Sequence, residues 1–539
     1  MPRHIHYRCR LSTAGLVVFV VANWLCSPSL GEPPVPVAAP AGAVDAGPDS
    51  PKYVGIVAGK CFNCHTKPNP EDKETARYFD LTEYPTWAEK DKHSLAYKVL
   101  ANSRSKKMGQ LLGITPETDA SCLGCHAIDV DASKCAEGNV LSVRKEGVSC
   151  EACHGAANKW LDQHWHPSQW RKIKTRQEKR DKGLVDLRDG VTRAEVCLSC
   201  HVGNAPGKVV THEMFAAGHP PISGFEIETF LRAMPKHWKP LADQPPETQR
   251  QYSDQWNPDK PETMYATRMM TIGGLVALKD YAGLIGHNAR ERSRLPGEAP
   301  AGKLVAAGAS VTELAFYDCQ ACHHELTVDS WRQKRGYPGR PGRPMVRAWP
   351  LALGKLAAAA CGNHRAPLLE ALHKFYEAID KQPFGATKDL AAAADQLMDK
   401  TEEAIRFVKM ERFSEDNGLE ILKEICATGT TELPDFETAR QLGWTARIVY
   451  EELPKHLHNE QIDKVLETIT AELSLSIPSR QEEISQEGAT ESEECVCVAN
   501  KSVPQTLAAA AKYDPLEFQN LCKRLAGLLA SAPKAHSDR

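Results

Sequence analysis

Gly147-Val-Ser-Cys150-Glu-Ala-Cys153-His154-Gly155 is the stretch on which the reading of this chain turns. Its pattern, two cysteines three apart and a histidine directly after the second, recurs four more times. The other copies are Cys61-Phe-Asn-Cys64-His65, Cys122-Leu-Gly-Cys125-His126, Cys197-Leu-Ser-Cys200-His201 and Cys319-Gln-Ala-Cys322-His323. In a helical turn, residues i, i+3 and i+4 share one face. Two thiols so placed can bond to the vinyl groups along one porphyrin edge, while the adjacent histidine reaches the iron. The spacing is the attachment signature of c-type haem and predicts five covalently bound haem c groups. His65, His126, His154, His201 and His323 are then iron ligands. Paired CxxC also marks structural zinc, but zinc makes no demand for a histidine directly after the second cysteine, and all five pairs have one. Thioredoxin-like use would need a βαβ context around CxxC, which is absent.

Working outward, 539 residues are enough for two or three domains, and 18 cysteines beside 20 histidines call for a framework of cofactors, metals or disulfides. The formal charge of -3 gives no sign of a nucleic-acid binder. Residues 1–31 read as a secretion signal. Arg3, Arg8 and Arg10 form the basic start, Leu11 to Leu25 the apolar core, and Ser29-Leu30-Gly31 a small-residue cleavage site. The apolar run is shorter than the ~20 residues that span a bilayer, so cleavage and release into the periplasm or an equivalent extracytoplasmic space is the expectation. If the segment were retained, the protein would be membrane-associated.

Residues 32–51 are Pro- and Ala-rich and read as a tether. Residues 52–345 hold all five motifs among short helices and loops, and are expected to form the haem-bearing domain. The run Gly336-Tyr-Pro-Gly-Arg-Pro-Gly-Arg-Pro344 cannot be helix or central strand. Beyond it, residues 346–539 show apolar positions at three- and four-residue spacing in Leu351 to Ala360, Ala366 to Asp380, Ala386 to Met410, Phe436 to Leu453, Ile462 to Leu475 and Pro504 to Ala530. The expected architecture is mostly α with little sheet, a multihaem domain followed by an all-α C-terminal domain.

Each iron has a sixth position to fill. Outside the motifs the haem-bearing half offers His93, His164, His166, His212, His219, His237, His287 and His324, a surplus over five irons, while methionine is scarce. Bis-histidine ligation, with low reduction potentials, follows. The favoured distal ligands are His93, in a helical stretch with Ala96 and Tyr97, His164 and His212, which follow motif histidines closely, and His219 in Gly218-His219-Pro220. His287, after Gly286, completes the set. His166, His237 and His324 rank below them. Cys135, Cys361, Cys426, Cys495, Cys497 and Cys522 remain for up to three disulfides.

The Gly147 to Gly155 segment, Trp87…His93…Ala96-Tyr97 and Ala217-Gly218-His219-Pro220 resemble the multihaem cytochrome c-554 family, over roughly residues 52 to 330. The resemblance implies a mostly helical fold, haems packed in close pairs, and bis-histidine ligation for most irons with His93 as a distal ligand. The fifth motif and the long C-terminal half depart from that pattern. The function expected is electron relay between redox partner proteins outside the cytoplasm. The alternative is an oxidoreductase acting on a small nitrogen or sulfur compound at one open-coordinate haem. All five motifs end in histidine, with no CxxCK, which favours the relay and leaves no catalytic residue to name.

Overall fold

The computed structural model describes residues 50–473, apart from 68–70, 72, 137–138, 172–173, 206, 253–261, 294–311, 325, 327 and 329–339, together with 510 and 512–531. The expected secretion signal, most of the tether, Cys495 and Cys497 lie outside the described residues. Among those described the fold is mostly α with no strand. Only isolated bridges occur, at Tyr53 and Cys135, Asn204 and Lys208, and Tyr317 and Val346.

Residues 50–252 form short helical turns joined by loops. Their apolar clusters are small: Ile128, Val130, Cys135 and Val143 in one, Leu100, Leu123 and Ala127 in another. What holds the loops is side-chain capping. The buried Glu151 carboxylate accepts backbone N–H bonds from Val54 (3.0 Å), Gly55 (2.6 Å) and Ala157 (2.7 Å), and Glu146 takes those of Ile56 and Val57. The residue between the cysteines of the third motif thus ties down the segment leading into the first.

The helical half is built differently. Ala348–Ala358, Arg365–Asp380, Thr387–Met410, Glu415–Thr431, Phe436–Glu452, Glu460–Glu472 and Pro515–Ser531 enclose one continuous core. Glu415–Thr431 is a helix that the sequence analysis passed over. Gly418, Gly429 and the Thr428 to Thr431 end lower its intrinsic propensity. Packing of Ile421, Leu422, Ile425 and Cys426 into the core overrides that.

The expected division after residue 345 follows the end of the motifs, whereas the packing runs across it. The long helix Tyr265–Ser293 is buried on every side from Thr267 to Leu278. It packs against Thr387–Met410 and Ala348–Ala358. The Glu452 carboxylate accepts the N–H groups of Ala266 and Thr267, both at 2.7 Å, and so satisfies donors that a helix start leaves open. Gly274 permits a close backbone approach, since a Cβ there would lie 2.9 Å from the Leu353 carbonyl. Ala194 and Leu198 carry the same core into the Gly190–His201 helix, which bears the fourth motif. No helix among the described residues is long and apolar enough to cross a membrane.

Candidate haem-binding sites

Every motif lies on a helical turn. The second, third and fourth are in Ala120–His126, Cys150–His154 and Gly190–His201. The first and fifth are in the 3-10 turns Cys61–Asn63 and Cys319–Ala321, whose next residues continue the turn. There the N–H groups of His65 and His323 donate to the carbonyls of Cys61 and Cys319 at 3.1 and 2.7 Å. Asp119, Asp189 and Asp318 cap three of these turns just before the motif helix begins.

Four of the five motif histidines face a second histidine. Ring centres are 6.3 Å apart for His65 and His164, 6.3 Å for His201 and His93, 6.4 Å for His126 and His219, and 6.2 Å for His323 and His212. Two trans metal–imidazole bonds of about 2 Å each, with about 1.2 Å from each nitrogen to its ring centre, place the rings roughly 6.4 Å apart. The spacing is therefore that of two imidazoles sharing one iron, and the residues present fit the group.

The other ring nitrogen supports the same assignment. Nδ1 of His65 meets Glu83 Oε2 (3.0 Å), that of His93 meets Asp91 Oδ1 (2.9 Å), and those of His126 and His219 meet the carbonyls of Ala96 and Pro220 (both 2.8 Å). Nδ1 of His164 meets the Leu161 carbonyl. Such bonds fix the tautomer and leave Nε2 for a metal. Burial also keeps His126, His164, His201 and His219 below the usual histidine value, His201 at about 3, so each is neutral and available as a ligand. Burial pushes up the thiols of Cys61, Cys150, Cys153 and Cys197, to between about 11 and about 12, and keeps them protonated when free.

His93 differs in its local structure from the continuous helix expected. It sits in the 3-10 turn Lys92–Leu95, whose N-cap Asp91 bonds both its backbone N–H and its ring. Burial would raise the Asp91 carboxyl, yet the bond from His93 holds it below the ordinary range. Tyr97 donates its hydroxyl to the Glu117 carbonyl. The carboxylates Glu83 and Asp91 were not singled out in the sequence. Asp91-Lys-His93 was readable as a capping aspartate two residues before a ligand, whereas nothing local links Glu83 to His65.

The third motif stands apart. No ring faces His154 at the pairing distance among the described residues. Burial lowers it to about 4, and the next largest influence is the charge of His237. His237 packs edge-on against Trp238, and its Nδ1 is buried without a hydrogen-bond partner. His287 is carried on the exposed side of Tyr265–Ser293, because that helix continues through Gly286 instead of ending there, and it faces no motif histidine. His166 packs on Trp165.

The motifs also abut one another. Cys125 lies beside Cys200, Lys208 Nζ lies 3.5 Å from the Cys200 sulfur, and the Lys208 side chain covers Gly124. His212 and His219, from one short segment around the helix His212–Ala217, face two different motifs. Cys135, Cys361, Cys426 and Cys522 are free, buried thiols, so the disulfides expected among them are not formed. Burial in apolar cores, without a bonded partner, accounts for all four.

Helical turns that present two thiols and a histidine, opposite a second histidine at iron-spanning distance, define a c-type cytochrome. Residues 60–155, which take in the first three motifs and His93, match the family described as cytochrome c554 and c-prime, so this part of the chain is similar to that family. No curated protein and no solved structure matches the chain.

Proposed function

We propose that this cytochrome is a five-haem electron relay, exported from the cytoplasm, that passes electrons between redox partner proteins. The observation that carries the reading is the set of four histidine pairs at 6.2–6.4 Å, which leaves those irons no position for a substrate. Bound haem would supply one-electron chemistry at low potential, as two imidazole ligands dictate. The chain's own part is to fix the ligand rings and exclude water. For the third motif we assign His237 as the facing ligand. Its unpartnered, buried Nδ1 contrasts with the occupied Nδ1 atoms of His65, His93, His126, His164 and His219, and it lies near enough to His154 for its charge to lower that ring. Contact between the second and fourth motifs, the Glu151 tie between the first and third, and the shared His212 to His219 segment support a continuous path.

Intact mass should exceed that of the processed chain by five haems. Absorption and EPR spectra of the oxidised protein should show low-spin iron throughout. A colourless, zinc-loaded protein would end the reading. One high-spin iron, lost as a distinct signal when His154 is replaced, would transfer it to an oxidoreductase acting on a small nitrogen or sulfur compound at the third haem.

A further inference from the structure

The helical half reaches the fourth motif by a defined route. His201 stacks on Phe225, ring centres 4.3 Å apart and planes 28° apart. Phe225 packs on Phe230 at 4.2 Å, and Phe230 meets Trp444 of the helix Phe436–Glu452 at 6.1 Å. One turn back on that helix, Arg440 is 1% exposed, its guanidinium lying 4.6 Å from the Trp444 ring centre and 5.2 Å from that of Phe436. Arg440 Nη1 donates to Glu437 Oε1 (3.0 Å), and Glu437 Oε2 accepts the N–H of Gly224 (3.0 Å), the residue before Phe225. Gly224 sits so close to this helix that a Cβ would meet Gln441 Nε2 at 2.5 Å.

A buried guanidinium keeps its charge, and burying one is costly unless it is paired and stacked. Here the same carboxylate that pairs with Arg440 holds the loop carrying Phe225. The route runs in one direction without a gap: charge, carboxylate, loop backbone, aromatic ring, iron-ligand ring. We propose that Arg440 is a positioning residue for the fourth haem. Through Glu437 and Gly224 it clamps Phe225 onto His201, fixes the plane of that ligand, and sets the potential of the haem it holds. This gives the C-terminal half a redox role beyond scaffolding. The inference rests on His201 being a haem ligand.

The test uses the full-length holoprotein, with EPR and a spectroscopic redox titration. Arg440→Gln should lower the midpoint of one haem, since a buried positive charge and a water-excluding wall are both lost, and should alter one low-spin EPR signal. Four potentials should stay in place, and five haems should remain attached. Arg440→Lys, which keeps the charge and the bond to Glu437, should restore most of the midpoint. Phe225→Leu should alter the same EPR signal without removing charge, and it decides the matter if Arg440→Gln does not fold. Unchanged EPR signals in Phe225→Leu, or five unmoved potentials in a folded Arg440→Gln protein, would overturn the proposal. Either of those results with five haems attached leaves the relay reading standing, whereas a wild-type protein that lacks haem on Cys197 and Cys200 removes that reading first.

Discussion

Residues 50–252 and the helices from Tyr265 onward solve the same problem in opposite ways. The helical half buries its own side chains against one another in one continuous core, which also takes in Ala194, Leu198, Phe225 and Ile227. The motif-bearing half has two clusters of a few residues each and relies on carboxylates that cap loop N–H groups. A chain segment that buries so little apolar surface of its own does not offset its conformational entropy. On the proposed reading, haem would complete the core of residues 50–252, while the helices from Tyr265 onward bury one another.

The largest effect expected from this contrast is in the protein made without haem attachment. Residues from about 50 to 190 should be digested by trypsin, while the helices from Tyr265 onward stay protected and far-UV circular dichroism stays strongly helical. Equal protection of both halves, or equal loss, would break the comparison. Next in size is His93→Ala. It should turn one low-spin haem high-spin and open that iron to carbon monoxide, with five haems still attached, whereas an unchanged EPR spectrum would remove His93 from the ligands. Glu151→Ala should then cost about 2–4 kcal/mol of stability, because it strips the acceptor from three backbone donors at once. Loss of order around Val54 to Val57 in hydrogen exchange would locate the damage, and a cost no larger than a surface change would show the clamp to be idle.

The smallest effect lies in the helical half and depends on pH. Burial pushes the Asp280 carboxyl from 3.8 up to about 7, with Lys279 opposing and Glu195 adding to the rise. The folded chain thus binds this proton more tightly than the unfolded chain. Asp280 weakens the fold increasingly as pH rises from 3.8 to about 7, and by a constant amount above that. Asp280→Asn should raise Tm by a few degrees at pH 8 and by less at pH 5, on the order expected for a single buried charge. A gain equal at both pH values would sink the argument.

The two halves also differed in how far they could be read in advance. The motifs declared themselves because attachment chemistry is local: five residues carry the whole requirement, and all five lie on helical turns. The facing histidines are a tertiary matter. His93, His164, His212 and His219 were named as candidates, but nothing in their spacing says that His93 lies across from His201 instead of the nearer His65 or His126. His287, beside its glycine, was named after them, and the helix carries it outward. His237 ranked low, and its merit lies in a buried nitrogen that only the folded chain reveals. In the helical half periodicity found the amphipathic helices and missed Glu415–Thr431, where the core compensates for poor helix formers. The allegiance of Tyr265–Ser293 to the later helices was not legible, since apolar surface does not say which neighbour it will join.

The crossed pairing of the histidines has a consequence for how the molecule is made. A chain delivered from its N-terminus presents His65 long before His164, and His126 long before His219. A haem attached at either motif would wait, with one face uncovered, for its second ligand to emerge. His93 and His212 are already present when the fourth and fifth motifs follow. Assembly is thus asymmetric: early sites are closed by chain that comes later, late sites by chain that is waiting. A truncation soon after the third motif histidine would leave the first two haems attached but exposed, open to external ligands that the finished protein shuts out.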